Sequence, residues 1–414
     1  MNSFATDTAV GPEELLRLKR EYLVPCVYHF YKNPPQIVAG EGCYLFDHAG
    51  RKYLDCYSGV TVMSAGHCVD EIIEPAIAQI RTLQHTTSIY LTEPVLRLAE
   101  ALATVTPPGL KRSFFCASGT EAVEGALLLA ALHTKRDVVI AMANGLHGRT
   151  RWAMNVTGLA MWRTDPFPMS GVIHAEFGNL AALEAALRNF AGRVAAVIGE
   201  PIQGNAGIVV PPDNFWPGVR RLCDEHGALL VLDEIQTGFN RTGRWFACEH
   251  WGVRPDVMAI SKAMGNGFPI AAFLTTDAIA ASYTRPGAST YGGNPVSAAA
   301  ALAVIEFQKR HGLTARAART GKVLRAKLAK VARRHASHLR PPHGLGLMVG
   351  MAVTNSDGEP SAEQCDLYLE RLKDAGVLAG KTGPNRNVLT FMPPLTIDDD
   401  DVEKLIHAME TCAD

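Results

Sequence analysis

The sequence lacks any CxxC pair and any regular cysteine spacing; its nine cysteines are scattered singly. That excludes a disulfide framework, predicts no metal site, and reads as reduced thiols in a cytoplasmic protein. A dense Lys/Arg run is also missing. The 40 basic and 41 acidic residues leave a formal net charge of −1, and Arg333-Arg334-His335 is a brief solvated helix face. Nothing in this balance provides for a nucleic-acid partner. No uninterrupted apolar run is long enough to span a bilayer, so no membrane partner is expected. Met1 to Glu14 is polar and mildly acidic, without a basic segment leading into an apolar one, so no secretory signal is expected. There is no internal repeat and no low-complexity segment.

What remains is a globular chain of 414 residues and 47% hydrophobic content, long enough for two domains. Residues 13–24 read as a short helix ended by Pro25, followed by an aromatic, proline-broken loop at 28–35. Residues 42–55 carry a hairpin signature. From about 70 to 300, short apolar runs at 113–116, 138–142, 195–200, 229–234, 256–260 and 270–275 alternate with helical stretches, including 121–133, 180–190 and 214–226. This predicts an α/β architecture with a mostly parallel sheet covered on both faces. Beyond 300, helices at 295–310, 314–335 and 361–375 alternate with strands at 347–353 and 388–391, the pattern of a smaller α+β domain. The expected division is 1–60 (an N-terminal arm and part of the small domain), 61–305 (the large domain) and 306–414 (the C-terminal small domain).

Four segments each suit one part of a single phosphorylated aromatic cofactor. Ser118-Gly119-Thr120 lies between a strand and a helix, where free backbone N–H groups, hydroxyls and the positive helix end favour a phosphate. A plain N-cap with an acidic first turn fits those residues as well. Asp233, at the end of an apolar strand, could hold a pyridine nitrogen protonated, or could cap a loop. Lys262 follows an apolar strand into a glycine-rich turn. Desolvation there would favour the neutral amine that forms an imine, unless the side chain snorkels to solvent. Ser289 to Pro295 is a loop entering a helix, a second place for a phosphate contact.

Taken together, Asp233-Glu234-Ile235-Gln236-Thr237-Gly238-Phe239, Ser261-Lys262-Ala263-Met264-Gly265-Asn266-Gly267 and Glu200-Pro201-Ile202-Gln203-Gly204 resemble the class-III (ω-type) aminotransferases, fold-type I enzymes of pyridoxal 5′-phosphate. The likeness runs from about Tyr28 to the C-terminus. Phe30-Tyr31-Lys32-Asn33-Pro34 is most similar to the alanine–glyoxylate aminotransferase type 2 and phospholyase-like branch. The resemblance implies a large domain with a mostly parallel seven-stranded sheet. It implies that Lys262 forms the Schiff base and shuttles the proton, and that Asp233 binds the pyridinium nitrogen. Gln236 would bond the phenolic oxygen, with Leu146, His147 and Glu200 also about the cofactor. Ser118, Gly119 and Thr120 would hold the phosphate, joined by Thr290 of a neighbouring subunit, and hence a homodimer with shared active sites, or a tetramer built from it.

The substrate side departs from that pattern. Thr390 stands three residues before Pro393-Pro394, where many members have an arginine that clamps the substrate carboxylate. Asn205 replaces the glutamate that pairs with this arginine in ornithine and 4-aminobutyrate aminotransferases. Joint loss is coherent, because one buried charge without the other costs roughly 3–5 kcal/mol. Leu146 stands where relatives have an aromatic residue over the cofactor ring. Arg149 and Arg151 are ordinary structural arginines or new contacts to an anionic substrate group, and Tyr28 and Val60 complete the expected substrate set. The leading expectation is transfer of an amino group from an amine or ω-amino substrate to a keto acid. The main alternative is a lyase that eliminates ammonia or phosphate from an amino-phosphate or amino-phosphonate. A racemase and a non-catalytic regulator are weaker options.

Overall fold

The computed structural model describes residues 10–413. Its centre is a seven-stranded sheet whose strands lie in the order Arg112–Cys116, Ala271–Thr275, Val257–Ile260, Leu229–Asp233, Val194–Gly199, Val138–Met142 and Val172–Ala175. Only Ala271–Thr275 runs against its neighbours; the other pairings are parallel. The expected seven-stranded, mostly parallel sheet is therefore present.

The apolar runs read from the sequence are explained by covering on both faces. Val139, Ala141, Ala196, Ile198 and Val231 pack against the helix Gly119–Thr134. Ile140, Met142, Val197, Leu230 and Leu232 pack on the opposite side, with the helices Leu180–Asn189 and Phe215–His226. Successive side chains point to opposite faces of a strand, so a strand buried on both sides carries no polar alternation.

Two smaller four-stranded sheets accompany the large one. Ile37–Glu41, Tyr44–Asp47 and Lys52–Asp55 form an antiparallel meander, and Val377–Leu378 joins it in parallel, from the far end of the chain. His343–Leu345, Met348–Ala352, Val388–Phe391 and Gly380–Thr382 form the other, entirely antiparallel. A continuous core joins Leu54, Cys56 and Ile72 to Leu324, Leu369 and Leu405. Residues from both ends of the sequence thus share one core.

The carboxyl ends of the parallel strands deliver the residues singled out above. Asp233 closes its strand, Glu200 follows Gly199, His147 lies five residues past Met142, and Lys262 two past Ile260. Ligand crevices of α/β sheets form at such edges.

Candidate active site

Two adjoining cavities open at this edge, of about 280 Å³ and about 350 Å³. Lys262, Leu146, Asn205 and Trp162 line both. The smaller is also lined by Gly119, Thr120, His147, Arg149, Glu200, Asp233 and Gln236.

Polar partners organise the smaller cavity. Asp233 Oδ2 lies 2.7 Å from His147 Nδ1, and its Oδ1 accepts from the Ile235 N–H at 3.1 Å. Burial alone would lower the His147 imidazole, but the hydrogen bond and charge of Asp233, with the charge of Glu200, hold it above 6.5. His147 Nε2 is buried without a partner. Glu200 accepts from the N–H groups of Leu146 at 2.9 Å and Gly204 at 3.0 Å. Burial raises its carboxyl to about 7, against the pull of His147. Gly204 leaves room for the Gln236 amide: a Cβ there would fall 2.0 Å from Gln236 Oε1 and displace it. The adjacent Glu234 turns away and accepts from Ala247 and Cys248 N–H at 3.0 and 2.8 Å, so Asp233 alone of the pair faces the cavity.

Lys262 has a φ of 43°, a left-handed conformation that costs a non-glycine residue about 1–2 kcal/mol. Its side chain is half-buried where it lines the two cavities, and protein surrounds the rest. Crowding by protein therefore governs its charge, pulling the amine below its ordinary value despite Asp233 and Glu200. A second strained stretch supports it. Ser58, Gly59, Val60 and Thr61 all have positive φ, forming one left-handed turn. Asp55 Oδ1 holds this turn by accepting from Tyr57 and Ser58 N–H at 3.0 and 2.8 Å. Asn266 ties the following residues to the lysine loop through Ala65 N–H and Gly66 O at 2.9 and 3.0 Å.

At the helix start the N-cap reading of Ser118 is present. Ser118 is an N-cap: its hydroxyl accepts from Glu121 N–H at 3.4 Å, while the Glu121 carboxylate takes the N–H groups of Ala117 and Ser118. Gly119 and Thr120 line the cavity as the first residues of their helix, where backbone N–H groups have no partner within the helix. Arg149 sits beside them, its own N–H donating to Thr120 Oγ1 at 3.0 Å. Thr290 lies apart from Lys262 in its own chain, in a separate cavity beside Ala117 and Glu121.

The larger cavity is aromatic and apolar: Tyr28, Phe30, Tyr57, Val60, Met161 and Trp162 line it. Asn205 is there as expected. Two residues are not. Arg151 lines neither cavity; its Nε lies 3.3 Å from Asp165 and its guanidinium reaches Phe167 O, which supports the structural reading of this arginine. Thr390 is fully buried behind the wall, with its hydroxyl unpartnered. A Cβ on Gly380 would fall 2.1 Å from the Tyr57 ring and 2.5 Å from Thr390 Oγ1, so the tyrosine ring and the threonine hydroxyl both crowd the Gly380 backbone. The sequence reading missed Tyr57, Trp162, Lys381 and Arg386. Trp162 ends the three-residue 3₁₀ helix Ala160–Trp162, too short to show a period, whereas Gly383-Pro384-Asn385 marks a turn that could have drawn attention to Arg386.

These residues fit pyridoxal phosphate: a crowded amine, a buried acid braced by a histidine, a glutamine beside it, and free N–H groups at a helix start. Among the described residues no cluster suits a metal ion, and no helix is long and apolar enough to cross a membrane. The profile of the class-III aminotransferases matches residues 30–413. Alanine–glyoxylate aminotransferase 2 homolog 2, mitochondrial, of Arabidopsis thaliana is 36% identical over 97% of this chain and 88% of its own. Acetylornithine aminotransferase of Mycolicibacterium smegmatis is 40% identical over 93% and 95%. Among solved structures, a phospholyase from Arthrobacter in complex with phosphoethanolamine matches at a TM-score of 0.90 and 29% identity, over 96% of this chain and 99% of that one. The family match and the aminotransferase relatives favour transamination over elimination. The chain belongs to the class-III aminotransferases, fold-type I enzymes that use pyridoxal phosphate.

Proposed function

We propose that Lys262 anchors the cofactor, that its Nζ moves the proton during transfer of an amino group from an amine or ω-amino donor to a keto acid, and that the larger cavity receives both substrates. The observation that carries this is the meeting of Lys262 with Asp233, His147 and Gln236 in one cavity that continues into the aromatic one. When bound, pyridoxal phosphate supplies an electron sink for the carbon bearing the amine.

The remaining roles belong to this chain. Asp233 holds a proton on the ring nitrogen, and the hydrogen bond from His147 keeps that carboxylate oriented. Gln236 faces the ring oxygen. Gly119 and Thr120 N–H groups receive the phosphate, with the Arg149 guanidinium near its charge. Crowding around Lys262 pulls its amine below the ordinary lysine value, which favours the neutral form that can accept a proton. Leu146 covers the ring by apolar contact, and Trp162, Tyr57 and Tyr28 exclude water.

A homodimer belongs to the same reading. Ile89, Tyr90 and Leu91 are 81%, 66% and 89% exposed, an apolar run that a second copy would cover. A partner subunit would then bring Thr290 to the phosphate. The nine free thiols are in keeping with a cytoplasmic setting.

The deciding experiment mixes purified holoenzyme with an amine donor alone. The absorbance of the lysine-bound cofactor is expected to convert once to the aminated form and to return only when pyruvate, glyoxylate or 2-oxoglutarate is added. Repeated turnover without acceptor, releasing ammonia or phosphate, would replace this reading with the lyase.

A further inference from the structure

Given transamination at Lys262 as proposed above, every cycle must bring a keto acid, and so a carboxylate, into a cavity walled by aromatic and apolar side chains. A carboxylate taken out of water there needs a counter-charge. Thr390 cannot supply one, since it is neutral and fully buried and does not line the cavity.

Four cationic or basic side chains line the cavity. The Lys262 amine must react. The Lys381 side chain is 1% exposed and held by Asp366. His29 Nδ1 lies 2.9 Å from the Lys19 ammonium, outside on the arm. Arg386 remains. It is half-buried, no carboxylate among the described residues pairs with it, and its guanidinium carbon lies 5.7 Å from the centre of the Tyr28 ring. An arginine set against an aromatic face keeps its planar fork free for bidentate recognition of an anion.

The backbone holds this arginine firmly. Arg386 N–H donates to Gly383 O at 2.9 Å, and Gly383 N–H donates to Asn205 O at 2.9 Å, binding the turn to the loop that supplies the cavity's other polar wall. The next residue, Asn387, exchanges hydrogen bonds with Val353 at 2.7 and 2.9 Å. Arg386 itself has a φ of 52°, a conformation that glycine adopts without cost. The turn needs no arginine; the side chain adds strain and faces the cavity.

We propose that Arg386 recognises the carboxylate of the keto-acid acceptor, replacing from the turn before the last strand the arginine missing at Thr390.

The test compares wild type, Arg386→Gly and Arg386→Lys with pyruvate and with propanal, an acceptor of the same length without a carboxylate. For Arg386→Gly, the KM for pyruvate is expected to rise roughly ten- to hundredfold, and that for propanal at least tenfold less. Arg386→Lys should fall between, because it keeps the charge and loses the fork. The melting temperature of Arg386→Gly should hold or rise, since glycine relieves the positive φ. In a second measurement, the cofactor absorbance is titrated with propionate, which binds but does not react. Propionate should perturb wild type at concentrations at least tenfold lower than Arg386→Gly, and propionamide should not distinguish them. Equal losses with pyruvate and propanal would make Arg386 a shape element and overturn the proposal, as would an unchanged propionate titration. If wild type failed to respond to any amine donor, transamination itself would fall, and the propionate titration would still decide the role of Arg386.

Discussion

The two cavities that meet at Lys262 are built on opposite principles. On the cofactor side the two buried acids have fixed partners: Asp233 with His147 and Ile235 N–H, Glu200 with Leu146 and Gly204 N–H. On the substrate side the walls are Tyr28, Phe30, Tyr57, Met161 and Trp162, and polar fixing is sparse. A group that binds one cofactor in one pose gains from a satisfied hydrogen-bonded frame. A cavity that must accept both an amine donor and a keto acid gains from apolar walls and one charge at its margin. The contrast makes Lys262 the sharpest test, because it belongs to both cavities.

Lys262→Ala should lower kcat by about 10⁴-fold or more and abolish the absorbance of the lysine-bound cofactor. The same pair of proteins tests crowding in the apo state. Folding pulls the amine below 10.5, so within the window between its folded and unfolded values the unfolded chain binds the extra proton. Apo wild type should therefore gain stability as pH rises through that window, by urea unfolding, and Lys262→Ala should lack this gain. Matching pH slopes would refute the desolvated amine.

Asp233→Asn tests the cofactor side alone. Activity should fall roughly 10²- to 10⁴-fold. Removal of the carboxylate leaves burial to dominate at His147, and its value should drop from above 6.5 to below it, read by NMR titration. In wild type the raised value means that the His147 contribution to stability is full below 6.5 and is lost as pH rises through its folded value. The variant should lose that feature of the pH–stability curve. An unchanged His147 titration would separate the pair.

The same contrast explains what the sequence made legible. Continuous apolar runs, 138–142 and 229–234 among them, exposed the buried strands, and their carboxyl ends pointed to Asp233 and Lys262. The edge strand Val172–Ala175 and the short strands His343–Leu345 and Gly380–Thr382 carry too few residues for a period to show. The left-handed turn at Ser58–Thr61 contradicts local preference, since Val60 and Thr61 are β-branched. Asp55 holds it from three residues away, and Asn266 of the lysine loop ties down the residues after it from far along the chain, which no local pattern shows. Arg149 and Arg151 look alike in sequence; the helix beginning at Arg151 turns one toward Asp165 and leaves the other beside Thr120. The cofactor frame is local and motif-like, whereas the substrate wall is assembled from the arm, the loop at 160–162 and the last hairpin.

Thr390→Arg reverses the missing charge on the substrate side. Thr390 is fully buried and Asn205 offers no counter-charge, so the substitution should cost about 3–5 kcal/mol in urea unfolding. Adding Asn205→Glu should recover part of that cost if the two positions can form the pair. Full stability of Thr390→Arg alone would mean that the wall yields and that the site can readmit a clamp.

Thr390→Val asks for the smallest change and the cleanest one. Thr390 Oγ1 is buried without a hydrogen-bond partner, beside the Tyr57 ring and the Gly380 backbone. Its hydroxyl has been removed from water with nothing returned, so an isosteric methyl should stabilise the fold by about 1 kcal/mol. The exchange leaves Arg386 and the cavity walls in place, so the KM for pyruvate should move less than twofold. A loss of stability would show that the hydroxyl has a partner in solution. A large rise in KM would show that this partner includes the substrate, and the division of labour between Thr390 and Arg386 would have to be redrawn.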